Sequence, residues 1–209
     1  MSIFHQIIAA CGFIIFVVSP FLTYVFRSVV IVIYHRIKHQ FFPPNRHDLL
    51  KEHYYSGVVL PSDIDLYFHM NNSRYAREGD FARLSFYSKC GLTRRFFQKY
   101  RMMMAANTIR FRKSLEIFQL FKIRTQLVYW DQDSLYVEQR YVTKYKDIKE
   151  FVYCIALIKM KIVNGNTADF FNDFLSELPK VPKPSEELKL FMAGIEASSN
   201  SLKVEKKSD

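Results

Sequence analysis

From Gln6 to Phe26 no residue carries a charge, and from Ile7 onward the run is dominated by Ile, Phe, Val and Ala. At about 1.5 Å of rise per residue, a helix over this run reaches roughly 30 Å, the thickness of a bilayer's hydrocarbon core. The run therefore predicts a transmembrane helix, in which Pro20 introduces a kink without preventing insertion, because freed backbone groups are re-satisfied locally. A cleaved secretory leader makes different demands: a positive n-region, an apolar stretch of about 7 to 15 residues, and small residues after it. Only the terminal amine and His5 precede this run, and the run is too long.

The flanking charges predict an orientation. Arg27, Arg36, Lys38 and Arg46 all follow the run, and no Lys or Arg precedes it. Positive flanks stay in the cytosol, so everything after Arg27 is expected to face that compartment. Ser28 to Tyr34 is a second apolar stretch, too short to span, that prolongs the helix or lies in the interface. Phe41-Phe42-Pro43-Pro44 then ends any helix. The chain finishes Lys206-Lys207-Ser208-Asp209, which has the form of a dilysine retrieval signal and otherwise reads as a solvated charged tail. Together these features predict a single-pass protein of the endoplasmic reticulum membrane with its folded domain in the cytosol. The expected organisation is an anchor over 1–34, a linker over 35–52, a folded domain over 53–165, and a C-terminal helix and tail over 166–209.

The folded part is large enough for one packed domain, and nearly half of the 209 residues are apolar. A formal net charge of +10 suits any anionic partner, whether nucleic acid, anionic lipid or the phosphates of coenzyme A. The sequence has no zinc-finger spacing, glycine-rich phosphate loop or basic region leading into heptads, so nucleic acid is not the expected partner. Cys11, Cys90 and Cys154 are too far apart for a disulfide framework and suit a reducing compartment. The histidines are scattered, and no metal site or cofactor is expected.

Beyond Val58 the pattern runs strand, long helix, several strands, terminal helix, which predicts an α+β fold. The helix is expected to begin at the capping pair Asn71-Asn72 and run through about Tyr87, before Gly91. Tyr75, Gly79, Ala82 and Phe86 recur on it at helical spacing, forming a narrow face suited to close approach to a sheet. Period-two alternation marks strands at Ile109 and Phe111 and again from Phe121 to Tyr129. Asp131 to Ser134 is turn chemistry, and Leu135 to Thr143 resumes the extended pattern, so these two strands form a hairpin. The continuous apolar run Phe151 to Ile158 predicts a strand buried on both faces. Pro179, Pro182 and Pro184 precede an amphipathic helix over Ser185 to Ser199.

The chemistry is concentrated between Pro61 and Tyr75, where an apolar strand meets Asp63, Asp65, His69 and a helix cap. The N-terminus of a helix presents unpaired N–H groups and the positive end of its dipole, a place to stabilise a developing oxyanion. The string Asp63-x-Asp65, followed by His69-x-Asn71-Asn72-x-x-Tyr75, resembles the 4-hydroxybenzoyl-CoA-thioesterase-like and plant acyl-carrier-protein-thioesterase branches of the hotdog superfamily. The resemblance extends to Leu60-Pro61-Ser62, to Asp80-Phe81-Ala82-Arg83 and to the turn Tyr129-Trp130-Asp131.

The resemblance implies a hotdog fold: a curved antiparallel sheet around a long helix, two copies forming a homodimer with sites at their interface, and an acyl-CoA or related thioester as the partner. By it Asp65 matches the catalytic aspartate, acting as nucleophile or general base. Asn72 falls where a backbone amide polarises the thioester carbonyl, and His69 matches a histidine that assists the water or the carboxylate. Glu78, one turn into the helix, is a second candidate acid. Asn71 and Tyr67 complete the substrate-binding set. Tyr67 departs from the plant-type motif, which has an asparagine there, and a phenol cannot make the same carboxamide contact. The expected activity is hydrolysis of acyl-CoA to free acid and coenzyme A in lipid metabolism, with a non-catalytic acyl or acyl-CoA binder, or a scaffold, as the alternative. On local grounds alone Asp63 is a turn former and Asn71 a helix cap.

Overall fold

A computed structural model describes the backbone of residues 3–208 except 93 and 147, and the side chains of residues 21–202 except 93–96, 145, 147 and 148. The chain divides into two units, Met1–Pro43 and Pro44–Asp209.

The first unit is one helix, α1 (Ile3–Phe41), of 39 residues. It continues through Arg36 and Lys38 and stops just before Pro43-Pro44, as the prolines require. Its described part leaves Phe21, Leu22, Phe26, Val29, Ile33 and Tyr34 exposed. The expected span at Gln6–Phe26 falls mostly on residues 1–20, whose side chains lie outside the described residues. Among the described residues no helix is long and apolar enough to cross a membrane. The lysines of the C-terminal Lys206-Lys207 pair are likewise outside the described side chains.

The second unit is an α+β body. A short 3-10 turn (Arg46–Leu50) leads into β1 (His53–Val58). The helix α2 (Asn72–Lys89) follows, then α3 (Arg94–Lys99) and the strands β2 (Met102–Phe111), β3 (Leu120–Trp130), β4 (Ser134–Tyr145) and β5 (Ile148–Ile162). The chain closes with α4 (Thr167–Leu175) and α5 (Glu186–Ser208). The sheet order is β1-β3-β4-β5-β2 with every neighbouring pair antiparallel. β3 and β4 form the expected hairpin: Asp131 accepts the N–H groups of Asp133 and Ser134, at 3.1 and 2.8 Å. β5 is an interior strand, buried continuously from Tyr153 to Ile158.

The long helix lies against the sheet as its small residues predict. Tyr75, Ala82 and Phe86 are fully buried. A Cβ at Gly79 would come within 2.8 Å of both the Gln139 carboxamide and the Tyr141 hydroxyl, so only glycine permits this approach. The core has two apolar parts. One gathers Val59, Met70, Tyr75, Phe121, Tyr141 and Tyr153 near the start of α2. The other gathers Phe86, Tyr87, Trp130 and Leu135 near its end.

Two helices, α3 and α4, were not expected from the sequence. α4 supplies Phe170, Phe171 and Phe174 to the second core cluster, so the chain beyond 165 begins as part of the packed body rather than as a tail. Its signal was present: Asn166 caps the Asp169 N–H at 2.8 Å and meets the Asp169 carboxylate in return. Beyond α4, the Pro179–Ser185 segment and Leu188 face Gln126, Glu138 and Arg140 across a groove of about 430 Å³.

Candidate active site

The segment between β1 and α2 is a compact knot of main-chain hydrogen bonds. Ile64 and Met70 pair antiparallel, and so do His69 and Glu116. The Asp65 N–H donates to the His69 carbonyl at 3.0 Å, and the Phe68 N–H donates to the Asp65 carbonyl at 3.1 Å, closing a tight loop. Asp65, Tyr67 and His69 are thereby brought together on one small hairpin, which runs directly into the cap of α2. The Tyr67 N–H donates to Asp65 Oδ1 at 2.9 Å, an Asx turn that fixes the carboxylate. Asp65 is half-buried, His69 is exposed, and the Tyr67 side chain is 81% exposed, turned to solvent.

Asn71 is the cap itself. Its Oδ1 accepts the Ser73 N–H at 2.9 Å and the Ser73 hydroxyl at 2.8 Å, while its own N–H reaches the Asp63 carbonyl at 2.8 Å. Asn72 is exposed at the first helical position, where the geometry of a helix leaves the N–H without an intrahelical acceptor. The hairpin thus carries a half-buried carboxylate and leads into a helix whose first amide has no intrahelical acceptor.

Asp63 and Glu78 are buried and meet the same arginine. Asp63 is 2% exposed; its Oδ2 accepts the Leu60 N–H at 3.0 Å and its Oδ1 the Arg77 guanidinium at 2.6 Å. The same Arg77 nitrogen reaches Glu78 Oε1 at 3.1 Å, and Glu78 is 3% exposed. Arg77 therefore bridges two buried carboxylates and ties the turn before the hairpin to the first turns of α2. Glu78 is thus buried against Arg77, whereas Asp65, Tyr67 and His69 lie on the hairpin.

Tyr75, the last residue of the motif, works inward. Its hydroxyl accepts the Leu115 N–H at 3.0 Å, its carbonyl accepts the Tyr141 hydroxyl, and burial pushes the phenol up to about 12. It stays a neutral hydrogen-bonding post that fixes the entry of α2 to the sheet.

A second polar group lies on the sheet side of α2. The Arg83 guanidinium meets the Asp80 carboxylate and donates to Gln139 Oε1 at 2.8 Å; Gln139 in turn donates to the Gly79 carbonyl at 3.0 Å and to Thr125 Oγ1 at 3.1 Å. Burial holds the Asp80 carboxyl above its usual range, and the neighbouring Arg83 offsets part of that. Asp80 and Arg83 border a cavity of about 60 Å³ with Asn107 and Ile109 of β2. Of the two carboxylates on this stretch of helix, Asp80 rather than Glu78 faces open space. The sequence signal was its spacing: Ala76, Gly79, Asp80 and Arg83 share a face at helical intervals. Among the described residues no cluster of His, Cys, Asp and Glu is placed to hold a metal ion.

A five-stranded antiparallel sheet folded on a long helix, with a carboxylate hairpin at that helix's start, defines a thioesterase-like hotdog domain. A family model described as "Thioesterase-like superfamily" matches residues 59–190, and the chain belongs to that superfamily. Among relatives, it is 37% identical to the Xenopus laevis protein called Protein THEM6 over 87% of this chain and 84% of that one. Among solved structures, the YbaW probable thioesterase from Escherichia coli superposes with a TM-score of 0.50 at 18% identity, covering 61% of this chain and 98% of that one. A mutant 4-hydroxybenzoyl CoA thioesterase complexed with 4-hydroxybenzoyl CoA gives a TM-score of 0.50 at 14% identity, covering 53% of this chain and 83% of that one. These structural likenesses establish the fold.

Proposed function

We propose that this protein hydrolyses acyl-CoA thioesters to the free acid and coenzyme A, with Asp65 as the reacting carboxylate. The observation that carries this reading is the hairpin: Asp65, held by the Tyr67 N–H, sits on the loop that delivers the chain into the start of α2. A thioester carbonyl oxygen placed at the Asn72 amide gains negative charge where the helix dipole favours it. Asp65 then either takes the proton of an attacking water or attacks the carbonyl carbon itself, forming an anhydride that water opens. In both routes the C–S bond breaks, the sulfur leaves as coenzyme A thiol, and one water is consumed. His69, on the same hairpin, is placed to assist the water. Purified full-length protein should release thiol from acyl-CoAs in an Asp65-dependent manner; a panel of chain lengths giving no such release defeats the proposal.

A second reading is a domain that binds acyl-CoA without turning it over. Its support is that Tyr67 brings no carboxamide to the site and points to solvent. Acyl-CoA binding that survives Asp65→Ala, with no hydrolysis by either chain, selects it.

The proposal includes a membrane anchor in α1 and an endoplasmic reticulum location, with the body facing the cytosol. The uncharged run, the positive flank and the exposed apolar side chains of α1 support it. Protease treatment of sealed microsomes tests it; complete protection of the body overturns it. It also includes a homodimer. β2 is an edge strand with Met103, Met104 and Phe111 exposed, a template for pairing with a second copy.

A further inference from the structure

Two neighbouring loops project apolar side chains into solvent at one end of the sheet. The hairpin loop exposes Leu66 by 95%, Tyr67 by 81% and Phe68 by 82%. The loop between β2 and β3, joined to it through the His69–Glu116 pairing, exposes Ile117 and, by 65%, Phe118, and Leu120 at the start of β3 is 71% exposed. Phe68 and Phe118 both adopt left-handed backbone, with φ of 59° and 60°. That conformation is uncommon for a bulky residue and costs on the order of 1 kcal/mol each. Hydrogen bonds hold both in place: the Phe118 N–H donates to the Val59 carbonyl at 2.9 Å, and the Phe68 N–H to the Asp65 carbonyl.

Leu120 also opens a groove of about 520 Å³ in which Lys122, Lys144 and Lys149 meet Ser56 and Thr143. All three lysines are exposed and have no carboxylate partner among the described residues. The one acidic residue of the groove, Glu150, is engaged by Arg124 at 3.4 Å. The acids of the two loops are Asp65 and Glu116.

We infer that these two loops and the adjoining lysine groove form a docking surface for an anionic lipid bilayer. The side chains divide as such a surface requires. Aliphatic and aromatic groups at the tip enter the boundary of the acyl chains, and the exposed lysines beside them meet lipid phosphates, each contributing about five-fold to partition onto an anionic surface. The inference rests neither on α1 nor on the chemistry of Asp65. It places the hairpin that carries Asp65 at the membrane, where long-chain thioesters partition.

The test uses the full-length chain with Leu66→Trp or Phe118→Trp, reconstituted in phosphatidylcholine/phosphatidylserine vesicles with brominated acyl chains, after subtraction of the native emission from buried Trp130. Each added tryptophan should lose most of its emission, while Leu190→Trp, exposed on α5, should lose none. The combined change K122E/K144E/K149E should restore emission at 66 and 118. A Phe26→Trp control reports the anchor separately, so its failure bears on the membrane-anchor reading alone. Unquenched tryptophans at 66 and 118 overturn the docking surface. So does efficient disulfide formation between copies carrying Leu66→Cys, which assigns the surface to a second copy of this chain instead.

Discussion

Asp63 and Asp65 stand two residues apart on one turn, and the fold gives them opposite environments. Asp63 is sealed under the start of α2 with Arg77 on one oxygen and a backbone amide on the other. Asp65 is lifted onto a hairpin, where the Tyr67 N–H meets one of its oxygens, on the loop that leads into the helix. A buried carboxylate with both oxygens tied to the protein stabilises a structure and is closed to a substrate. A half-open one on the loop that leads into the helix keeps acceptor capacity for a substrate or a water.

This contrast can be broken most directly at Asp65. Asp65→Ala should lower thiol release by at least about 100-fold, the usual contribution of a positioned acid–base group, while the unfolding free energy moves by less than about 0.5 kcal/mol. A parallel loss of stability would mean the hairpin carboxylate is structural after all. Asp63→Ala should do the reverse. It leaves Arg77 with a single carboxylate and should cost about 3 kcal/mol by denaturant titration, with activity per folded molecule close to that of the native chain. Gly79→Ala sharpens the boundary between the two regions. Its new methyl group meets Gln139 and Tyr141, and the strain should cost about 1–3 kcal/mol, read as a lowered Tm. Asn71→Ala, at the junction of hairpin and helix, removes the cap and should cost about 1 kcal/mol.

The smallest effect concerns Asp80, whose folded carboxyl sits above its ordinary range because of burial. As pH rises through the carboxylate range the unfolded chain ionises first, so the folded state loses stability over that window and does not regain it above. Asp80→Asn keeps an acceptor for Arg83 and lacks the titration. Denaturant titrations from about pH 4 upward, starting at the ordinary carboxylate value, should show the native chain losing stability relative to the variant.

Much of this was legible in the chain because it depends on neighbours in sequence. The cap at Asn71, the stop before Pro43-Pro44, the Asp131 turn and the small face of α2 each follow from residues within a turn of one another. Local spacing also marked Asp65, Tyr67 and His69 as one group, since a seven-residue hairpin leaves them nowhere else to go. Glu78 and Asp80 show where that kind of reading stops. They lie on one helix two residues apart, and the spacing alone does not say which meets Arg77 and which faces the cavity beside β2.

The sequence by itself determined the helix that carries the site, the hairpin before it and the alternation of the strands, because propensity, capping and turn chemistry act over a few bonds. Only the tertiary structure decided that Arg77 would bridge Asp63 and Glu78, that Gln139 would reach from the sheet to Gly79 and Arg83, and that Leu66, Phe68 and Phe118 would be left in solvent. Those outcomes depend on which distant strands pair and in what register, and burial, which sets the state and partners of each charge, exists only once that pairing is made.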